Sequence, residues 1–312
     1  MSVPQIVCIG DVNIDLVSTP VESIVPEVSE EVVFTERVGG NAANTAVACS
    51  RLGLESLLVG RIGSDHWGVR LKEMLDDYDV ATALRSIKGR TALTVAVTFT
   101  GGKRSFLGDQ GETNETVAAE DVPEEALRGR YVMRAGYWYT PAIMGEPTAR
   151  IFSRAQANGA VTLLDVGWDH LGWTEERLDG LFGVLENTDV LFVNELEAVH
   201  IAQMPDRDPA EAARAILGHG VKAVVLHLGE NGSRFISRDE DITVPVVRAG
   251  GVRDPTGTGD VFNAAFIYAH HEGLSTEDML RFANAAAALH LAGHTFPHRK
   301  RVEALLAREV EI

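Results

Sequence analysis

Tyr131-Val132-Met133-Arg134-Ala135-Gly136, Val161-Thr162-Leu163-Leu164-Asp165, Val190-Leu191-Phe192-Val193-Asn194 and Ala223-Val224-Val225-Leu226-His227-Leu228 punctuate the stretch from 131 to 228. Each is a short, nearly unbroken apolar run, and amphipathic helical patterns intervene. Strands that read as continuous apolar runs are buried on both faces. Their alternation with helices implies a parallel sheet covered by helices on both sides, so the expected fold class is α/β. Ligands of such sheets sit beyond the carboxyl ends of the strands, where this chain carries Asp165, Asn194 and Gly229.

Upstream, Gln5 to Ile9 reads as another buried strand, followed by Gly10-Asp11-Val12-Asn13-Ile14-Asp15. In an extended chain Asp11, Asn13 and Asp15 line one face, which suits either a polyol site or a solvated edge strand. Gly39-Gly40-Asn41-Ala42-Ala43-Asn44 opens a helix that Asn41 can cap and Gly53 can end, with Asn44 in its first turn. Leu57 to Ile62 is a strand, and an amphipathic helix runs through Leu75. Thr91 to Thr100 is β-branched at many positions, Gly101-Gly102 supplies a hairpin turn, and Lys103 to Leu107 returns. Residues 12–38 have the same exposed-sheet texture. The two segments, 12–38 and 90–112, are expected to pair as a small lid over one face.

Downstream lies Arg253-Asp254-Pro255-Thr256-Gly257-Thr258-Gly259-Asp260, with an apolar helix pattern beginning at once. A glycine-relaxed turn at a helix start aims free amides at one spot beside the positive end of the dipole. A carboxylate at such an anion site suits a base that takes a proton from a hydroxyl while the amides steady a phosphoryl group. A plain Asp cap on a Gly turn fits the same residues. Asn194 and Glu197 face one another at a helix start, as a helix cap or as partners for hydrated Mg²⁺. His290, His294 and His298 recur every four residues, but Gly293 and Pro297 interrupt the helix that would align them as metal ligands. Two final helices are expected, 260–272 and 276–292, the second capped by Ser275 with Asp278.

Composition narrows the function classes. A net charge of −17 with no basic stripe argues against a nucleic-acid partner. No apolar run approaches the ~20 residues of a membrane span, and no basic segment precedes an apolar one at the N-terminus, so a cytoplasmic protein is expected. The only two cysteines, Cys8 and Cys49, lie in apolar stretches and read as small core residues. Neither G-x-G-x-x-G nor G-x-x-x-x-G-K-[ST] occurs, which weakens dinucleotide-oxidoreductase and P-loop readings.

Gly39 to Asn44 with its helix and Asp254 to Asp260 resemble the two signature motifs of the ribokinase-like (PfkB) carbohydrate kinases. The likeness extends to Gly10–Asp15, Gly60–Asp65 with Gly68, Asn194–Glu197 and the Leu228-Gly229 turn. It implies one three-layer α/β/α sandwich over 1–312 with a mostly parallel central sheet and a β-lid, moving the γ-phosphate of ATP to a hydroxyl of a sugar or a nucleoside. In that family's pattern Asp260 is the general base, and the amides of Gly257, Thr258 and Gly259 are the anion hole. Asp11, Asn13, Asp15, Gly39, Gly40 and Asn44 bind the acceptor. Asn194 and Glu197 organise Mg²⁺ through water, Gly229, Gly232 and Asn284 border the nucleotide, and Asp254 stands where relatives hold K⁺. Departures include His227 in place of a frequent Thr, Asn41-Ala42 in place of Lys-Gly, and Val166-Gly167-Trp168 without the usual Asn and Arg. A non-catalytic sugar or nucleotide sensor is the different-class alternative, and the lid edges suit a homodimer.

Overall fold

A computed structural model describes residues 3–100, 103–251, 255–293 and 295–309. Its central strand is β1 (Ile6–Gly10), every residue of which is buried. Alternate side chains serve two separate cores: Ile6 and Cys8 join one apolar cluster, Val7 and Ile9 the other. This is why the strand reads as an unbroken apolar run. On one side β1 pairs in parallel with β4 (Ser56–Gly63), which pairs in parallel with β5 (Ala81–Ile87). On the other side follow, also in parallel, β8 (Tyr131–Ala135), β9 (Val161–Asp165), β10 (Val190–Asn194) and β11 (Ala223–His227). The antiparallel strands β12 (Ser233–Ser237) and β13 (Asp241–Val244) complete an order of β13-β12-β11-β10-β9-β8-β1-β4-β5.

Two helical layers cover this sheet. On the Ile6/Cys8 face lie α1 (Asn41–Leu52), α2 (His66–Asp76), α8 (Thr258–His271), α9 (Thr276–Gly293) and α10 (Arg299–Glu309). On the Val7/Ile9 face lie α4 (Glu146–Ala157), α5 (Glu175–Leu185), α6 (Glu195–Ile201) and α7 (Pro209–Ile216). The short α3 (Gly111–Glu115) returns the chain from the smaller sheet. The α/β expectation holds, and the structure adds three details. Strand β5 is an edge strand of mixed burial, so it lacks the apolar run that marks the inner strands. The Leu228 to Gly232 turn closes an antiparallel hairpin, β11 to β12. A third helix, α10, follows the two expected at the end.

A second, four-stranded sheet has the order β3-β2-β6-β7, from β2 (Asn13–Ser18), β3 (Phe34–Gly39), β6 (Ala92–Thr98) and β7 (Arg104–Asp109). The two segments that read as exposed sheet therefore do pair, β2 with β6 in parallel. Their Gly101-Gly102 turn lies outside the described residues. Register puts Asn13 and Asp15 on one face with Thr94, which pairs with Asp15. Among the described residues no helix is long and apolar enough to cross a membrane.

Candidate active site

Strand ends and helix starts converge on one cavity of about 660 Å³ between the two sheets. The carboxyl ends of β1, β9, β10 and β11 bring Asp11, Asp165, Asn194 and His227 to its wall; the smaller sheet adds Asn13, Asp15 and Thr94. The starts of α1 and α8 supply Gly40, Asn44, Gly257, Thr258, Gly259 and Asp260. Tyr139 and His170, which carried no signal in the sequence, also line it. Six carboxyl groups face the cavity (Asp11, Asp15, Asp109, Asp165, Glu197 and Asp260), and none of its described lining residues is Lys or Arg.

The start of α1 is shaped by its two glycines. A Cβ on Gly39 would overlap the Asp15 carboxyl and the Asn13 amide; one on Gly40 would overlap Asp11 backbone and Asn13 Oδ1. Gly40 also stands at φ +91°, which an L side chain rarely adopts. The expected Asn41 cap is absent: Gly40 holds the cap position with no side-chain bond. Asp11 does the work from another element, its Oδ2 accepting from the Asn41 amide at 3.0 Å and its Oδ1 from Ala42 at 3.2 Å. Beside it, Asn13 Nδ2 donates to Asp15 Oδ1 at 2.7 Å and to Thr94 Oγ1 at 3.2 Å. Gly53 ends the helix in the left-handed conformation, as its place in the sequence suggests.

Gly257, at φ +74°, is the N-cap of α8, and Asp260 is the third residue of that helix. Asp260 is 5% exposed, and its Oδ2 accepts a 3.0 Å hydrogen bond from Asn44 Nδ2. The Thr258 amide closes the turn on the Pro255 carbonyl at 3.2 Å, so this expected anion-hole donor has a partner within the turn. His290, on α9, braces the turn from behind, its Nε2 lying 2.8 Å from the Thr256 carbonyl oxygen. His298 faces the Arg51 carbonyl instead. His294 and Asp254 lie outside the described residues.

Asn194 and Glu197 form a reciprocal capping box on α6: Glu197 N donates to Asn194 Oδ1, and Asn194 N to Glu197 Oε2, each at 2.9 Å. The cap reading of the sequence is correct, and both residues still line the cavity. Asp165 accepts from Asn263 Nδ2 at 2.6 Å, and Asn263 Oδ1 lies 3.0 Å from His227 Nε2. That chain orients His227 with Nε2 as donor. Asn263, fully buried one turn beyond Gly259, was unread in the sequence because its partner is 98 residues away. Asn284 donates to the carbonyls of Val244 and Pro245, the backbone against which Gly232 also packs. Asn284, Gly232 and Gly229 thus gather at the β11–β13 side and do not line this cavity.

Crowded, desolvated carboxyl groups resist ionisation. Burial raises Asp11 and Asp165 to about 6, and Asp15 and Glu197 to about 7. Burial and then the Asp165 charge push Asp260 well above the usual carboxylate range, against the Asn44 hydrogen bond. Burial lowers His227 to about 4, so it is a neutral imidazole.

The profile of the pfkB family carbohydrate kinases matches residues 3–294. A ribokinase of Arabidopsis thaliana is 30% identical over 318 residues, covering 97% of this chain and 81% of its own. A probable fructokinase-2 of the same plant is 29% identical, covering 91% of this chain and 89% of its own. The solved structure of Arabidopsis thaliana ribokinase complexed with ribose and ATP superposes with a TM-score of 0.82 at 28% identity, over 97% of this chain and 98% of that one.

Proposed function

Because the chain belongs to the pfkB family of carbohydrate kinases, we propose that it transfers the γ-phosphate of ATP to a hydroxyl of a sugar, with Asp260 as the general base. The observation that carries this reading is the Asn44–Asp260 hydrogen bond, which joins the two signature stretches inside one acid-lined cavity. Asp260 takes the proton of the attacking hydroxyl, and the Asn44 hydrogen bond favours the ionised form that can accept it, against burial. The amides of Gly257 and Gly259 and the positive end of α8 stabilise charge on the migrating phosphoryl group, joined by Thr258 once its turn opens. Asp15, Asn13 and Asn44 hold the acceptor's other hydroxyls, and alignment of acceptor and donor supplies much of the acceleration.

Mg²⁺ enters with ATP as part of the substrate. Oxygen donors suit it, and Glu197 keeps one carboxylate oxygen outside its capping bond, near Asp165. Among the described residues no three metal-ligating side chains converge, so the ion would be held through water and phosphate oxygens. Gly229, Gly232 and Asn284 border the nucleotide on the β11–β13 side. The smaller sheet is the lid that excludes water from the transfer. Phe34 on β3 and Leu107 on β7 leave both lid edges apolar and exposed, an arrangement that suits a homodimer.

A second cavity of about 440 Å³ shares Asp15, Asn44, Thr256 and Gly257 with the first, and Val17, Met74, Tyr78 and Phe296 give it an apolar wall. It favours a second reading, an acceptor larger than a monosaccharide, such as a nucleoside. ADP release from Mg-ATP across a panel of sugars and nucleosides tests both readings. Release above background with one class identifies the acceptor, and none with any class contradicts kinase activity.

A further inference from the structure

One fully buried cation lies behind the acid-lined cavity and belongs to none of the roles above. Arg134, the fourth of the five residues of β8, is 1% exposed. Its Nη1 donates to the carbonyls of Ala135 at 2.6 Å and Ile9 at 3.3 Å; its Nη2 donates to the Tyr137 carbonyl at 3.2 Å and to the Thr140 hydroxyl. Those carbonyls disperse the charge without cancelling it. A buried, unneutralised guanidinium is costly, and a lone structural arginine would be readily replaced by an apolar residue.

No carboxylate pairs with it directly among the described residues; the charge it acts on is that of Asp11. The guanidinium sits behind Gly10, where a Cβ would press on both Arg134 Nη1 and the Ala135 carbonyl. The Asp11 carboxyl packs on the other side, over Gly136, where a Cβ would overlap it. Two glycines therefore bring the buried cation and the carboxyl toward one another. Asp11 in turn receives the first two amides of α1, and three residues into that helix Asn44 holds Asp260. The other titratable groups facing Asp11 are acidic, and its charge raises each of them: Asp15 from β2, Asp165 from β9, Asp260 from α8 and the Tyr139 phenol. Burial opposes the Asp11 charge; the Asn41 and Ala42 amides favour it, and Arg134 adds a side-chain cation on the same side.

We propose that Arg134 is a positioning residue whose charge keeps Asp11 in the carboxylate form that caps α1, and so sets where Asn44 and Asp260 meet the acceptor. The kinetic consequence rests on the proposed acceptor site; the ionisation of Asp11 does not. The Asn41 and Ala42 amides and then Arg134 hold Asp11 to about 6 against its burial.

Two variants separate charge from hydrogen bonding. Arg134→Gln keeps amide donors and loses the charge; Arg134→Lys keeps the charge. Asp11 ionisation is followed as the infrared carboxyl band that is missing in Asp11→Asn, across pH 4–9, with thermal unfolding as the check on folding. The expected result is an upward shift of that titration in Arg134→Gln and little change in Arg134→Lys. In acceptor-dependent ADP release at pH 7, Arg134→Gln should raise the acceptor KM by about 10²-fold, the scale of a misplaced site, and leave the ATP KM in place. The acceptor defect should shrink toward pH 9, where Asp11 ionises without help. An unshifted Asp11 titration in Arg134→Gln overturns the proposal. So does a loss in which both KM values rise together at every pH. Absence of activity in the unmodified protein would contradict the kinase reading alone, because the infrared titration still decides the role of Arg134.

Discussion

Asn44 Nδ2 lies 3.0 Å from Asp260 Oδ2, although 216 residues separate them in the chain. Residue 44 sits in the first turn of α1 and residue 260 in the first turn of α8, so two helix starts, each behind a glycine turn, meet at one hydrogen bond. That bond aims the carboxyl into the cavity and opposes the burial that raises its proton affinity.

Removing the donor should therefore leave Asp260 both less well aimed and harder to ionise. Asn44→Ala is expected to lower kcat/KM by about 10–10²-fold, the scale of a hydrogen bond to a charged group. Asn44→Asp should lose more, because a second carboxylate would stand against the first. Steady-state kinetics at saturating ATP measure both.

Gly39→Ala tests the acceptor side. The new methyl would overlap the Asp15 carboxyl and the Asn13 amide, so both must leave their places. The acceptor KM should rise by at least about tenfold with the ATP KM little changed. Equal effects on the two substrates would argue that Asp15 and Asn13 do not hold the acceptor.

Glu197→Gln separates capping from metal organisation. Glutamine still accepts from the Asn194 amide, so the cap survives and Tm should not fall, while the Mg²⁺ concentration needed for half-maximal rate should rise about tenfold, since only the charge is lost. A Mg²⁺ titration at fixed ATP gives the answer. An unchanged requirement would leave Glu197 as a cap alone.

The crowded acids fix a pH dependence of stability. Asp11, Asp15, Asp165 and Glu197 have folded values near 6–7, above their unfolded values near 4. Between those limits the folded chain holds protons that the unfolded chain has released, so these groups favour folding below pH 4 and lose that contribution as pH rises to about 7. Asp260 is raised in the same direction. Asp260→Asn should therefore raise Tm by several degrees at pH 8 and by less at pH 5, as scanning calorimetry would show. Catalytic groups held at a cost to stability behave in this way.

Sequence alone made the inner strands legible because both faces of the sheet are covered, leaving continuous apolar runs at β8, β9, β10 and β11. The edge strand β5 lacks that signature, since much of it faces solvent. The paired glycines at 39 and 40 stood out as a motif, yet their reason, room for Asn13, Asp15 and Asp11, needs the smaller sheet in place. Asn194 and Glu197 permitted two readings at equal spacing, and the reciprocal bonds show that the cap is real whatever else they hold. Arg134 was hidden because one arginine in Tyr131-Val132-Met133-Arg134-Ala135 looks like a strand end reaching solvent. Only the fold reveals that its guanidinium is buried behind Asp11. Asp11 itself was legible as a polar strand end, but its capping of α1 across 30 residues was not.

The most direct test of the mechanism is single-turnover phosphoryl transfer by Asp260→Asn, with the best acceptor of the panel and Mg-ATP. The substitution keeps the shape and an oxygen for the Asn44 bond and removes only the base. Transfer is expected to slow by about 10²–10⁴-fold with the acceptor affinity changed little, as for loss of a group acting mainly in the transition state. Transfer at the unmodified rate would contradict Asp260 as the base.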